Sequence, residues 1–140
     1  MDYKRLALAA VVAWFVDTIY GIIVWMMMLG GEFAKYPQVF RPQEAMTAKL
    51  PLMFAGGLLA MFALAYIYAK GYEGGSGVAE GARFGLLIAV FVVCVFAGIN
   101  YATLNMGRRM AVVLAAAGFV EWLVAGIVIG LVYKGKPRAV

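Results

Sequence analysis

LALAAVVAWFVDTIYGIIVWMMM, residues 6–28, decides the fold of this chain. One charged side chain, Asp17, stands at its midpoint, and the residues around it are apolar, small or weakly polar. A helix crosses the roughly 30 Å hydrocarbon core of a bilayer with about 20 such residues. In a soluble protein an aspartate here would lie on a solvated helix face. The rest of the sequence removes that option. Of the 140 residues, 66% are hydrophobic and 14% charged, with a mean hydropathy of +0.92. Ordinary globular domains are nearer roughly 45–50% apolar and about 25% charged. A compact soluble domain of this length could not cover so much apolar surface, so the chain is read as a membrane protein.

Four windows are long and apolar enough to span: Leu6–Met28, Leu50–Ala69, Phe84–Leu104 and Met110–Tyr133. They are continuous, whereas the strands of a membrane β-barrel would alternate apolar and polar residues. The expected fold is all-α, a single integral membrane four-helix bundle over residues 1–140. Lys4 and Arg5 before the first window resemble the start of a secretory signal. The apolar run is too long for one, and no small-residue cleavage site follows it. It is expected to be a retained helix.

Composition narrows the chemistry. There is no histidine, which removes the commonest haem and zinc ligand. Cys94 is the one cysteine, so no intrachain disulfide can form, and it is read as a small hydrophobe. Ser76 is the only serine, so a serine–histidine hydrolase is excluded. The glycine-rich GYEGGSGVAEG, residues 71–81, lacks the terminal Gly-Lys-Ser/Thr of a phosphate-binding loop and reads as a flexible turn. The nine methionines suggest adaptable packing. No cofactor, metal or enzymatic activity is expected. The net charge of +5 is scattered over termini and loops, which suits anionic lipid headgroups and not nucleic acid.

An even number of spans puts both termini on one side. With cytoplasmic termini, seven basic residues lie inside, Lys4, Arg5, Lys70, Arg83, Lys134, Lys136 and Arg138, against five outside, Lys35, Arg41, Lys49, Arg108 and Arg109. The positive-inside rule then favours an inner (plasma) membrane protein with cytoplasmic termini. In the long first loop, RPQEAM places Pro42 and Glu44 at the start of a short interfacial helix. Trp25, Tyr36, Tyr68, Tyr72, Tyr101 and Tyr133 fall near span ends and are assigned to headgroup depth. Glu80 and Arg83, spaced i,i+3, are expected to form a surface pair.

Two acids lie well inside spans: Asp17 in the first and Glu121 in the last. Helical spacing puts Asp17 on a face with Ala10, Ala13, Trp14, Tyr20 and Gly21, and Glu121 on one with Ala117, Gly118, Val124 and Ala125. Small residues beside each acid allow a neighbouring helix close, so both are expected to face the bundle. An ionised carboxylate at the bilayer centre costs about 2.5–3.5 kcal/mol even on gentle scales. Without a basic partner at that depth, each is expected to be neutral, and touching acids would share a proton and titrate as a pair. The plain alternative is that they hydrogen-bond helices together, for about 0.6–2 kcal/mol each. Candidate proton- or solute-binding residues are Asp17, Glu121, Tyr20, Trp14 and Asn100. For Asn100 an interhelical hydrogen bond is the plainer expectation. The GIVIG run, Gly126–Gly130, is a small-xxx-small seam on another face, suited to packing within or between protomers.

The segments EGARFGLLIAVFVVCVFAGINY and AGFVEWLVAGIVIGLVYK resemble an uncharacterised bacterial four-span family, domain of unknown function 1761. The shared features are Glu80-Gly81 opening the third span, Asn100 near its end, and a glycine-rich last span, Gly118 to Gly130, ending at Tyr133. The resemblance implies a four-helix membrane fold and supplies no activity. Small multidrug transporters share the architecture and an acid in span one, though not the sequence around Asp17. Two functions follow as expectations: a proton-linked carrier or conduit for a small or cationic solute, or an accessory subunit of a larger membrane complex. The expected partners are the lipid bilayer and either a second copy or such a complex.

Overall fold

The structure, a computed structural model, describes residues 1–134. Lys136 and Arg138, counted above toward orientation, lie outside the described residues. Four helices are long and apolar enough to cross a membrane: Tyr3–Met28, Leu50–Lys70, Gly77–Thr103 and Arg108–Val132. The protein is an all-α bundle with the character of a multi-pass membrane protein. Leu29–Lys49 carries two short helices, Gly30–Phe33 and Gln43–Thr47, the second led by Pro42 with Glu44 in its first turn, as the RPQEAM pattern implied.

The first span packs against the second and the fourth, and the fourth against the third. One alanine stripe explains the first two contacts. Leu6, Ala9, Ala10 and Ala13, at helical spacing, are buried against Met61, Ala65 and Tyr68 of the second span and Ala125, Ile129 and Tyr133 of the fourth. Without bulk at Ala9, Ala10 and Ala13, the backbones come close. At this end the Asp2 N–H donates to the Tyr133 hydroxyl, and the Arg5 guanidinium to the Lys134 carbonyl. It is called the terminal end below, and the other the long-loop end.

The third and fourth spans meet through glycine. Gly81 and Gly85 of the third are buried against Gly126 and Gly130 of the fourth; a Cβ on Gly81 would lie 2.6 Å from the Gly126 carbonyl oxygen. The GIVIG seam therefore has its partner within the chain. Its mate, Gly77-xxx-Gly81-xxx-Gly85, overlaps the stretch expected to be a flexible turn. The third span starts at Gly77, seven residues before the expected Phe84, because those glycines face a helix. The true turn is Gly71–Ser76, with Gly74 at a φ of 87°, where a side chain would be strained.

Glu80 corrects a second expectation. It is 8% exposed and accepts hydrogen bonds from the Tyr68 hydroxyl at 3.3 Å and from the Gly75 N–H, which folds the turn back onto the span. Arg83 pairs instead with Glu73, at 3.3 Å in an exposed position. Tyr68 and Tyr133 are buried and cross edge-to-face, with centroids 6.0 Å apart, whereas Tyr101 remains exposed.

At the long-loop end, Phe33, Tyr36, Val39 and Phe40 pack on Met106, Met110 and Ala111, seating the first loop on the start of the fourth span. Glu32 fastens it, pairing with Lys35 at 2.7 Å and Arg109 at 3.3 Å. The hydrogen bond from Lys35, helped by the Arg109 charge, holds the Glu32 carboxyl below its ordinary 4.5.

Candidate functional site

Asp17 and Glu121 come together at the interface of the first and fourth spans. Both side chains line the same cavity between the spans. A hydrogen bond between two carboxyls requires that one carry a proton, because two carboxylates have no donor between them. Both residues are partly buried. Glu121 also accepts a hydrogen bond from the Trp25 indole N–H at 2.9 Å. The first and fourth spans are neighbours and bring the two acids to one cavity wall.

Tyr20 and Trp14 take different positions. The Tyr20 hydroxyl donates to the Ala117 carbonyl at 2.7 Å, one helical turn before Glu121. It clasps the first span to the fourth and lines neither cavity described below, so it positions the acids and does not contact a ligand there. The Trp14 indole N–H donates to the Phe54 carbonyl at 3.1 Å, with its ring edge-on to Phe54. Gly57 makes room: a Cβ there would touch the Trp14 ring at 3.5 Å. Trp14 thus joins the first and second spans beside Asp17.

Beyond Trp14, toward the long loop, a half-enclosed cavity of about 730 Å³ separates those two spans. Its walls are mostly apolar and aromatic, including Trp14, Trp25, Phe33, Phe40 and Phe54. The polar side chains are few: Asp17, Thr18 and Glu121 along the spans, and Gln43 and Thr47 from the short loop helix. Pockets of roughly 300–1,000 Å³ with greasy walls and a few placed polar groups are the usual form of small-molecule sites.

A smaller cavity, about 170 Å³, lies between the third and fourth spans. Asn100, Gly118, Trp122 and Glu121 line it, together with Trp25. Asn100 does not make the expected interhelical hydrogen bond; among the described residues its side chain has no such partner. Glu121 and Trp25, joined by their hydrogen bond, therefore border both cavities.

Trp25 is the functional candidate that the sequence reading missed. In a regular α-helix, eight residues carry a side chain roughly a quarter turn away from Asp17. The first span instead winds as a π-helix over Gly21–Met28. Bonding from i to i+5 advances more slowly around the axis and returns Trp25 to the acid face. A second π-helical stretch, Val93–Gly98, runs along the small cavity. Such π turns gather at functional sites. They cannot be seen in residue types alone.

Comparison of the chain with protein-family models, curated proteins and solved structures finds no match. Among the described residues no three or more Cys, Asp or Glu side chains gather as a metal site.

Proposed function

We propose that this protein is a proton-linked carrier for a small organic cation, without enzymatic activity, working in an inner membrane with cytoplasmic termini. The observation that carries the reading is the juxtaposition of Asp17 and Glu121 in the wall of one large aromatic cavity. A pair that shares one proton holds one negative charge. A monovalent cation entering the cavity supplies the countercharge that lets the second carboxyl ionise. The proton leaves and the net charge of the site is unchanged. Cation and proton then compete for the same two oxygen groups, which is the minimum requirement for exchange. Aromatic faces add about 0.5–2 kcal/mol each to cation binding, most where water is excluded. Intramembrane acids of this kind are common in proton-coupled transport.

The test is flux in proteoliposomes with an imposed proton gradient, across a panel of organic cations. Wild type should move at least one of them with the gradient. Asp17→Asn, which keeps shape and hydrogen bonding but cannot titrate, should keep the fold and lose the coupled flux. Unchanged flux in that variant, or none in wild type across the panel, sinks the carrier. The acids would then be interhelical glue, and an accessory role in a larger membrane complex would take its place.

A further inference from the structure

The smaller cavity has chemistry that the larger one lacks. The hydrogen-bonded Trp25 and Glu121 border both cavities, so the smaller one reaches the same carboxyl. Asn100 offers it an amide with no hydrogen-bond partner among the described residues. Trp122, whose indole N–H is likewise unpartnered among them, also lines it. A water site needs space and two to four polar partners, and liquid water occupies about 30 Å³ per molecule. At about 170 Å³, with Glu121, Asn100 and Trp122 on its walls, this cavity meets both requirements.

We propose that the small cavity holds water and is the route by which Glu121 releases and regains its proton while a cation fills the large cavity. The proposal rests on the carrier reading above and assigns the two exchanged ions separate paths. A proton leaving through the large cavity would have to pass an incoming cation of like charge. Leaving through the small one, it passes from the Glu121 carboxyl to a cavity water, so one O–H bond breaks and another forms. The electron pair stays on the carboxylate, where the cation balances it. Asn100 can orient that water by donating or accepting, and Trp25 borders both paths.

Gly118 gives the cleanest test. It lines the small cavity but not the large one, and an added Cβ meets nothing within 4 Å. Gly118→Val therefore fills the space without a clash at the first carbon, and Asn100→Leu removes the amide independently. Stopped-flow mixing of the detergent-solubilised protein with tetraphenylphosphonium would follow two signals. Tryptophan fluorescence reports the cation beside Trp14 and Trp25, and a pH dye reports the released proton. In wild type the two should rise together. In both variants the fluorescence change should persist while the fast phase of proton release is lost, and Asn100→Gln, which retains an amide, should recover it. Release in step with binding in both Gly118→Val and Asn100→Leu overturns the separate path and leaves the carrier standing. Binding without any proton release in wild type overturns the carrier, and the separate path with it.

Discussion

A single indole nitrogen links the two halves of the site. Trp25 donates to Glu121 while its ring stacks near Phe33, with centroids 6.2 Å apart, so it ties the acid pair to the loop above the cavity. Trp25→Phe preserves most of that ring contact and removes the donor. A partly buried carboxyl oxygen that loses its partner costs about 1–3 kcal/mol. The variant should lose stability in that range by denaturant titration in micelles, against a control such as Phe91→Leu on an exposed surface. Equal stability of Trp25→Phe and wild type would show that the bond does not hold the pair in place. The acids themselves were legible in the sequence, because a charge at the midpoint of a span has few uses and small neighbours point it inward. Trp25 was not, since its place depends on the winding of Gly21–Met28 and an α-helix was the natural assumption. Glu80 was misjudged for a related reason. Its nearest charge in sequence, Arg83, suggested a surface pair, but its actual partners are Tyr68 and a turn backbone.

At the scale of elements, glycine spacing sets which helices touch. The four windows were visible from apolar run length alone, and their observed ends fall close to expectation except at Gly77. There the glycine-rich composition pointed to a turn, and only the facing Gly126–Gly130 seam shows that Gly77, Gly81 and Gly85 belong to a helix. A glycine looks the same in sequence whether it bends a turn or admits a neighbouring backbone. The two uses respond differently to a methyl group. Gly126→Ala would press a Cβ into the Gly85 backbone and should destabilise the bundle by about 1–3 kcal/mol, the usual penalty of overpacking. Gly56→Ala, on the exposed side of the second span with nothing within 4 Å, should be neutral or stabilising by about 0.5–1 kcal/mol. Denaturation of both variants in the same micelles checks the contrast. An innocuous Gly126→Ala would mean that the third and fourth spans are not packed through this seam.

Across the whole molecule, the first and second spans are tight at one end and parted at the other. Alanines, tyrosines and Glu80 close the terminal end, while the first and second spans part beyond Trp14 and leave room at the long-loop end. The two acids stand where packing gives way to cavity, with the Tyr20 hydrogen bond and Trp25 both beside them. Cost and use coincide at that point: a carboxyl pair is expensive in hydrocarbon, and a cavity beside it gives a cation somewhere to neutralise it.

The most direct measurement is the number of protons displaced per cation bound. Titration of reconstituted protein with tetraphenylphosphonium in weakly buffered medium gives the proton count, and calorimetry of the same sample gives the bound cation. Wild type should release a proton on binding, and the double variant Asp17→Asn/Glu121→Gln, which leaves no titratable group at this depth, should release none. Cation binding with no proton released by wild type, or release that survives in the double variant, would contradict the claim that the Asp17–Glu121 pair is the exchange site.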